Sequence, residues 1–165
     1  MLALAKVAQL RQQPDLQTMN LAQVVRSDAL DLAPLFADKN IEFEIETAPA
    51  PVASHKWVLG ELTRNLLHNA IRHTPAGSKL AVRVTCESNE AVLTISDSRP
   101  GVSAELYARL YQPFSAGNVG QGSGLGLAIC HEITQVLGGS IRLENRVLDG
   151  RVIGLEATAR LPLEL

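Results

Sequence analysis

Hydrophobic positions in this chain of 165 residues change period repeatedly, and each change marks an element. Leu2, Leu4, Ala5, Val7, Ala8 and Leu10 recur at helical spacings and stop at Pro14, so residues 1–14 read as the tail of a helix and a connector. A second helix fits positions 21 to 37, with Pro34 placed to kink it or end it early. Ile41-Glu-Phe-Glu-Ile-Glu-Thr47 alternates apolar and acidic residues, as a half-buried strand does. Pro49 and Pro51 mark a loop, Ser54 is placed to cap the next helix, and Pro75 with Gly77 closes that helix. Leu80, Val82, Val84 and Cys86 alternate with Ala81, Arg83 and Thr85, and Ala91 to Ser96 is a second β-rich run across Ser88-Asn89, which predicts a hairpin. Residues 98 to 123, broken by Pro100, Pro113 and glycines, are too long for an ordinary connector and predict a mobile lid. Helical spacing resumes from Leu125 to Leu137 and stops at Gly138-Gly139. Two closing strands, Ser140 to Val147 and Arg151 to Leu163, join across Asp149-Gly150. The sum is an α+β protein, a two-layer sandwich whose mixed, mostly antiparallel sheet is covered on one face by helices.

Composition narrows the function. Hydrophobic content of 46% with 19% charged residues is that of one ordinary globular domain, placed here at 15–165. A formal net charge of −2 provides no basic field, which argues against nucleic acid as a partner. Cys86 and Cys130 are far apart in strand-like and helix-like patterns, and predict reduced core thiols of a cytoplasmic protein. No apolar run approaches the ~20 residues that cross a bilayer, and Met1-Leu-Ala-Leu-Ala5 meets Lys6 without a secretory pattern, so the chain is expected not to be membrane-inserted.

Two segments carry candidate chemistry. In Asn65-Leu-Leu-His-Asn-Ala-Ile-Arg-His-Thr74, Asn65 and Asn69 stack on one helical face, Arg72 and His73 continue it, and Leu62, Leu66, Ala70 and Ile71 form a stripe elsewhere. Amides aligned beside a core-facing stripe can give oxygen ligands to a hard cation such as Mg²⁺, although two asparagines alone equally suit a solvated helix face. Gly122-Ser-Gly-Leu-Gly-Leu-Ala-Ile129 is a glycine-rich turn running into a helix, where unpaired backbone N–H groups and the helix dipole attract phosphate. A lone glycine run also makes flexible turns. The pair together reads as a nucleotide site.

The order of these motifs resembles the catalytic and ATP-binding domain of bacterial sensor histidine kinases, in the superfamily that includes DNA gyrase and MutL. The likeness covers residues 18 to 163: Asn65 to Thr74 resembles the asparagine box, Asp97 to Val102 the first glycine box, Tyr111 to Phe114 the phenylalanine box and Gly122 to Leu127 the second glycine box. The opening Leu2-Ala-Leu-Ala-Lys6 is similar to the end of the dimerisation and phosphoacceptor domain. The resemblance implies that ATP and Mg²⁺ are the cofactors, that Asn69 holds the metal, and that Asn65 supports metal and phosphates. By the same likeness Arg72 reaches the phosphates, His73 flanks adenine or ribose, and Asp97 accepts a hydrogen bond from the adenine amino group, although Asp97 alone also reads as a strand-end turn residue. Gly101, Gly122, Gly124, Leu125 and Gly126 would bring backbone close to the nucleotide.

The partners implied are the phosphoacceptor domain of the same protein, which supplies the histidine nucleophile, and a response regulator. None of His55, His68, His73 and His131 has the family's phosphoacceptor setting. In the gyrase and MutL branch a glutamate four residues before the metal-binding asparagine activates water; here that place holds Asn65, and Glu61 lies two turns, about 12 Å, from Asn69. The likeness therefore implies a kinase rather than a hydrolase, in a cytoplasmic domain whose full-length parent sits in the bacterial inner membrane. The alternatives are an interaction module that binds nucleotide poorly and docks a dimerisation helix or response regulator, and a serine kinase of an anti-sigma system, against which the opening helix argues.

One position breaks the family's pattern. Arg99 stands where the first glycine box usually carries glycine. By that likeness an arginine is expected to crowd the nucleotide, and its Cβ disfavours positive φ by ~1 kcal/mol. Arg99→Gly should therefore tighten ATP binding in calorimetry. Weaker binding by the variant, with a loss that shrinks as salt rises, would instead make Arg99 a phosphate ligand.

Overall fold

The computed structural model describes residues 16–55, 57–98 and 125–164. In chain order the elements are β1 (Gln17–Asn20), α1 (Leu21–Asp31), α2 (Ala33–Asp38), β2 (Glu42–Thr47), β3 (Pro51–Ser54), α3 (Val58–His73), β4 (Lys79–Glu87), β5 (Glu90–Ser96), α4 (Leu125–Val136), β6 (Ser140–Leu148) and β7 (Arg151–Pro162). The larger sheet runs β2-β4-β5-β7-β6, with β2 and β4 parallel and every other pair antiparallel. Helices pack on one face of it, as the periodicities predict. The connector at 1–14, Arg99, Gly101, the expected lid, Tyr111 to Phe114, Gly122 and Gly124 lie outside the described residues.

Two-residue turns fix the register of both hairpins. Ser88 and Asn89 take φ of 50° and 66°, and Asp149 and Gly150 take 51° and 77°. Positive φ at both central residues gives a turn whose twist matches that of the flanking strands. Alternation then sorts the side chains. Leu80, Val82, Val84, Leu93, Ile95, Leu143, Leu155 and Leu161 enter the core under the helices. The opposite face carries charge, where Lys79 lies 3.4 Å from Glu44 and Arg83 3.6 Å from Glu46. Glu87 and Glu90 face each other across β4 and β5, and Arg160 bridges both at 3.8 and 3.7 Å. Such exposed pairs contribute little stability. A depression of about 660 Å³ on this face, lined by Glu44, Arg83, Thr94 and Glu156 among others, lies across the sheet from the helices.

Several sequence expectations are corrected. The helix expected over 21 to 37 is two helices. Leu32 separates them, and Pro34, which cannot donate to a preceding turn, sits in the first turn of α2. The loop expected at Pro49 and Pro51 becomes strand from Pro51 onward, because β3 pairs antiparallel with β1. Ser54 ends that strand, is fully buried, and donates its hydroxyl to the His55 carbonyl at 3.0 Å, so it does not cap α3. The N-cap of α3 is Trp57, without a side-chain cap. Cys86 continues the inward alternation but is exposed, its Sγ lying 3.2 Å from the Pro49 carbonyl, whereas Cys130 is buried.

Asn20 joins the small sheet to the helical layer. Its Oδ1 accepts from the backbone N–H of Ala22 at 3.1 Å, capping α1, and from that of Ala50 at 3.0 Å. Asn20→Ala should cost about 1–2 kcal/mol, the upper range for an N-cap, because two backbone donors lose their acceptor together. A shift in urea midpoint at constant slope checks it.

Candidate functional site

The site is built around α3. Leu59, Leu62, Leu66, Leu67, Ala70 and Ile71 are buried along one side, which leaves Asn65 and Asn69 half-buried at its margin and Arg72 and His73 exposed in the last turn. Basic residues there favour the negative end of the helix dipole. Glu61 occupies the first turn, where an acid favours the positive end. The Asn65 Nδ2 donates to the Glu61 carbonyl at 2.7 Å, leaving its carbonyl oxygen as the amide's other polar group. Arg72 Nη2 lies 3.3 Å from Nδ1 of exposed His68. Desolvation, and then the Arg72 charge, holds His68 below the ordinary imidazole range.

The C-terminal end of α3 is tied down from two directions. Lys39, just beyond α2, donates its ammonium to the carbonyls of Ile71 at 2.7 Å and Arg72 at 3.2 Å. Thr74, fully buried, accepts from the Ser98 N–H at 3.5 Å, and the Ser98 hydroxyl donates to the Lys79 carbonyl at 2.6 Å. The end of the asparagine helix is thereby stitched to the end of β5, where Asp97 stands.

Asp97 is 2% exposed. Its N–H donates to the Leu155 carbonyl at 2.9 Å, and its Oδ1 accepts from the Leu155 N–H at 3.0 Å. The carboxylate thus takes the place of a backbone carbonyl and extends the pairing of β5 with β7 by one residue. Arg146 Nη1 donates to the Asp97 carbonyl at 2.6 Å, from the position at which the β6 register shifts, between Arg146 and Val147. Leu155 and Arg146 were not anticipated from sequence. Gly154, a glycine inside a strand pattern, was the available signal of a close backbone approach.

Leu125 and Gly126 open α4. Buried Cys130 of that helix donates to the Leu62 carbonyl of α3 at 3.7 Å, and burial pushes its thiol far up, which leaves it unreactive. Among the described residues no group of three His, Cys, Asp or Glu side chains could hold a metal. Asn65 and Asn69 each present an amide oxygen at the half-buried margin of α3. A neutral amide oxygen suits Mg²⁺, which takes few protein ligands and keeps water and phosphate oxygens around it.

The family profile described as histidine kinase-, DNA gyrase B-, and HSP90-like ATPase matches residues 57–165. The sensor protein kinase PmrB of Pseudomonas aeruginosa is 36% identical over 148 residues, covering 87% of this chain and 30% of that protein. The histidine-protein kinase BaeS of Escherichia coli is 35% identical over 111 residues, 64% of this chain and 23% of its own length. The chain therefore spans less than a third of these relatives. Among solved structures, a mycobacterial sensor histidine kinase MprB superposes with a TM-score of 0.78 at 26% identity, covering 90% of this chain and 98% of that one. The nucleotide-free catalytic domain of histidine kinase ThkA gives 0.81 at 26%, covering 90% and 96%.

Gly154 tests the arrangement around Asp97. A Cβ there would run into the Asp97 carbonyl and stand 3.0 Å from Arg146 Nη1. Gly154→Ala should cost about 1–3 kcal/mol, the usual range for overpacking, and should speed amide exchange at Leu155 and Asp97. Unchanged exchange at both amides would mean that the strand yields without moving Asp97.

Proposed function

Because this chain belongs to the histidine kinase-, DNA gyrase B-, and HSP90-like ATPase family and is an ATP-binding catalytic domain of the sensor-kinase type, we propose that it positions Mg·ATP for transfer of the γ-phosphoryl to a histidine. That histidine belongs to the phosphoacceptor domain of the same full-length protein, and a response regulator receives the phosphoryl next. No helix among the described residues is long and apolar enough to cross a membrane. We place the chain on the cytoplasmic side of a parent anchored in the bacterial inner membrane.

The observation that carries this reading is the fixed carboxylate of Asp97 at the end of β5, joined through Ser98 and Thr74 to the helix that bears Asn65 and Asn69. In this role Asp97 accepts from the adenine amino group, and the backbone pairing with Leu155 holds its carboxylate in place. Asn69 holds Mg²⁺ through its amide oxygen, and Asn65 supports the metal and phosphates. When bound, the ion neutralises charge on the triphosphate. Arg72 lies one turn beyond Asn69, where an exposed guanidinium can swing to phosphate. His73 flanks the adenine or ribose. Gly101, Gly122, Gly124, Leu125 and Gly126 let the backbone approach the nucleotide.

Asn65 also supports transfer over hydrolysis. An amide cannot take a proton from water, and Glu61 sits two turns from Asn69 in the first turn of α3. Phosphoryl transfer depends on positioning and charge neutralisation, whereas hydrolysis also needs an oriented water.

Calorimetric titration with ATP and Mg²⁺ tests the assignment. Asn69→Ala should weaken Mg²⁺-dependent binding by at least about tenfold, or 1.4 kcal/mol, with the melting temperature nearly unchanged because Asn69 lies off the buried stripe. Asp97→Asn should weaken ATP, and the parent chain should prefer ATP to GTP. Equal affinity for the two nucleotides would contradict the adenine role, and undiminished binding by Asn69→Ala would remove the metal role. The chain alone should neither label itself nor turn over ATP quickly, and adding the histidine-bearing domain should restore labelling.

A further inference from the structure

Asp28 sits where its own helix does not favour it. With Asp31 it lies in the last turn of α1, where carboxylates oppose the negative end of the helix dipole. It is also 4% exposed, in the seam between α1 and α3. Its Oδ2 accepts from the hydroxyl of fully buried Thr63, and its Oδ1 lies 3.3 Å from Arg64 Nη2, which is also 3.4 Å from Asp31 Oδ2. Thr63 does not need this partner, since its own helix offers the Gly60 carbonyl at 3.2 Å. A groove of about 510 Å³ opens beside Asp28 and Gly60, and a Cβ at Gly60 would meet nothing within 4 Å.

Thr63 and Arg64 directly precede Asn65. At the other end Lys39 grips the carbonyls of Ile71 and Arg72, so Asn65 and Asn69 lie between two polar attachments. Apolar packing fixes which face of a helix is buried but tolerates small slides along its axis, whereas hydrogen bonds to buried charge do not. We propose that Asp28 is a positioning residue for the nucleotide site, one that fixes the register of the asparagine helix through Thr63 and Arg64 at a cost in stability.

The cost has a definite sign. Burial raises the Asp28 carboxyl above its ordinary value, against the lowering effect of Thr63 and Arg64. The charged groups acting on it are Arg64 from α3 and Asp31 from α1. A carboxyl raised in the folded state favours folding in its protonated form. That contribution is full below the unfolded value of 3.8 and is lost as pH rises through the raised value. At neutral pH the ionised form is thus a net burden, which the neutral amide of Asp28→Asn removes.

The proposal rests on the nucleotide-binding reading above, so its test has one readout with nucleotide and one without. In Asp28→Asn, and in Thr63→Val, which keeps the volume and removes the hydroxyl, ATP affinity with Mg²⁺ should fall at least about fivefold. Amide exchange over residues 65–70 of the empty chain should accelerate by a similar factor. The melting temperature of Asp28→Asn at pH 7 should stay level or rise. Native exchange over 65–70 in both variants would overturn the inference, whether or not the parent binds ATP. A fall in melting temperature matching the loss of affinity would also overturn it, by making Asp28 merely structural. A parent that binds no ATP would defeat the functional reading, and the exchange data would still decide the role of Asp28.

Discussion

α3 must bury a broad apolar side against the sheet while leaving a narrow polar margin in reach of solvent, and the site follows from that constraint. Each large aliphatic side chain taken from water contributes about 1.5–3 kcal/mol, as an upper bound. Leu59, Leu62, Leu66 and Leu67 together therefore set the rotation of the helix far more firmly than any polar contact could. A rotation by one residue, about 100°, would bury an asparagine and expose a leucine. Asn65 and Asn69 are thus aimed by side chains that never meet a ligand. The polar ties at Thr63, Arg64, Ile71 and Arg72 then set what burial leaves loose, the position of the helix along its own axis.

Much of this was legible in the sequence because the signals are local. Period-two runs with Ser88-Asn89 and Asp149-Gly150 between them give the hairpins, and the apolar stripe of α3 gives the face that carries the amides. What escaped depends on distant partners. β1 and β3 are four residues each, and Pro51 at the start of β3 reads as a breaker until Asn20 is seen opposite it. Cys86 fits the inward period but lies against Pro49. The surroundings of Asp97 come from Arg146, Gly154 and Leu155 on the last hairpin, and no spacing rule links them to the end of β5. The Asp28–Thr63 contact spans 35 positions and was hidden in the same way, since each residue interrupts an apolar stripe and reads alone as a minor blemish.

The parallel pairing of β2 with β4 carries a consequence for assembly. Two-residue turns close both hairpins with almost no loop entropy, whereas β2 reaches β4 only after the chain has travelled from position 42 to position 79 by way of β3 and α3. The asparagine helix is the crossover itself. An edge strand reached through such a crossover has no short route back to its neighbour, so β2 can pair with β4 only after the segment that carries α3 has been placed. Until that pairing is made the edge of β4 stands open, so the late arrival of β2 sets the interval in which this chain is exposed to strand-mediated aggregation.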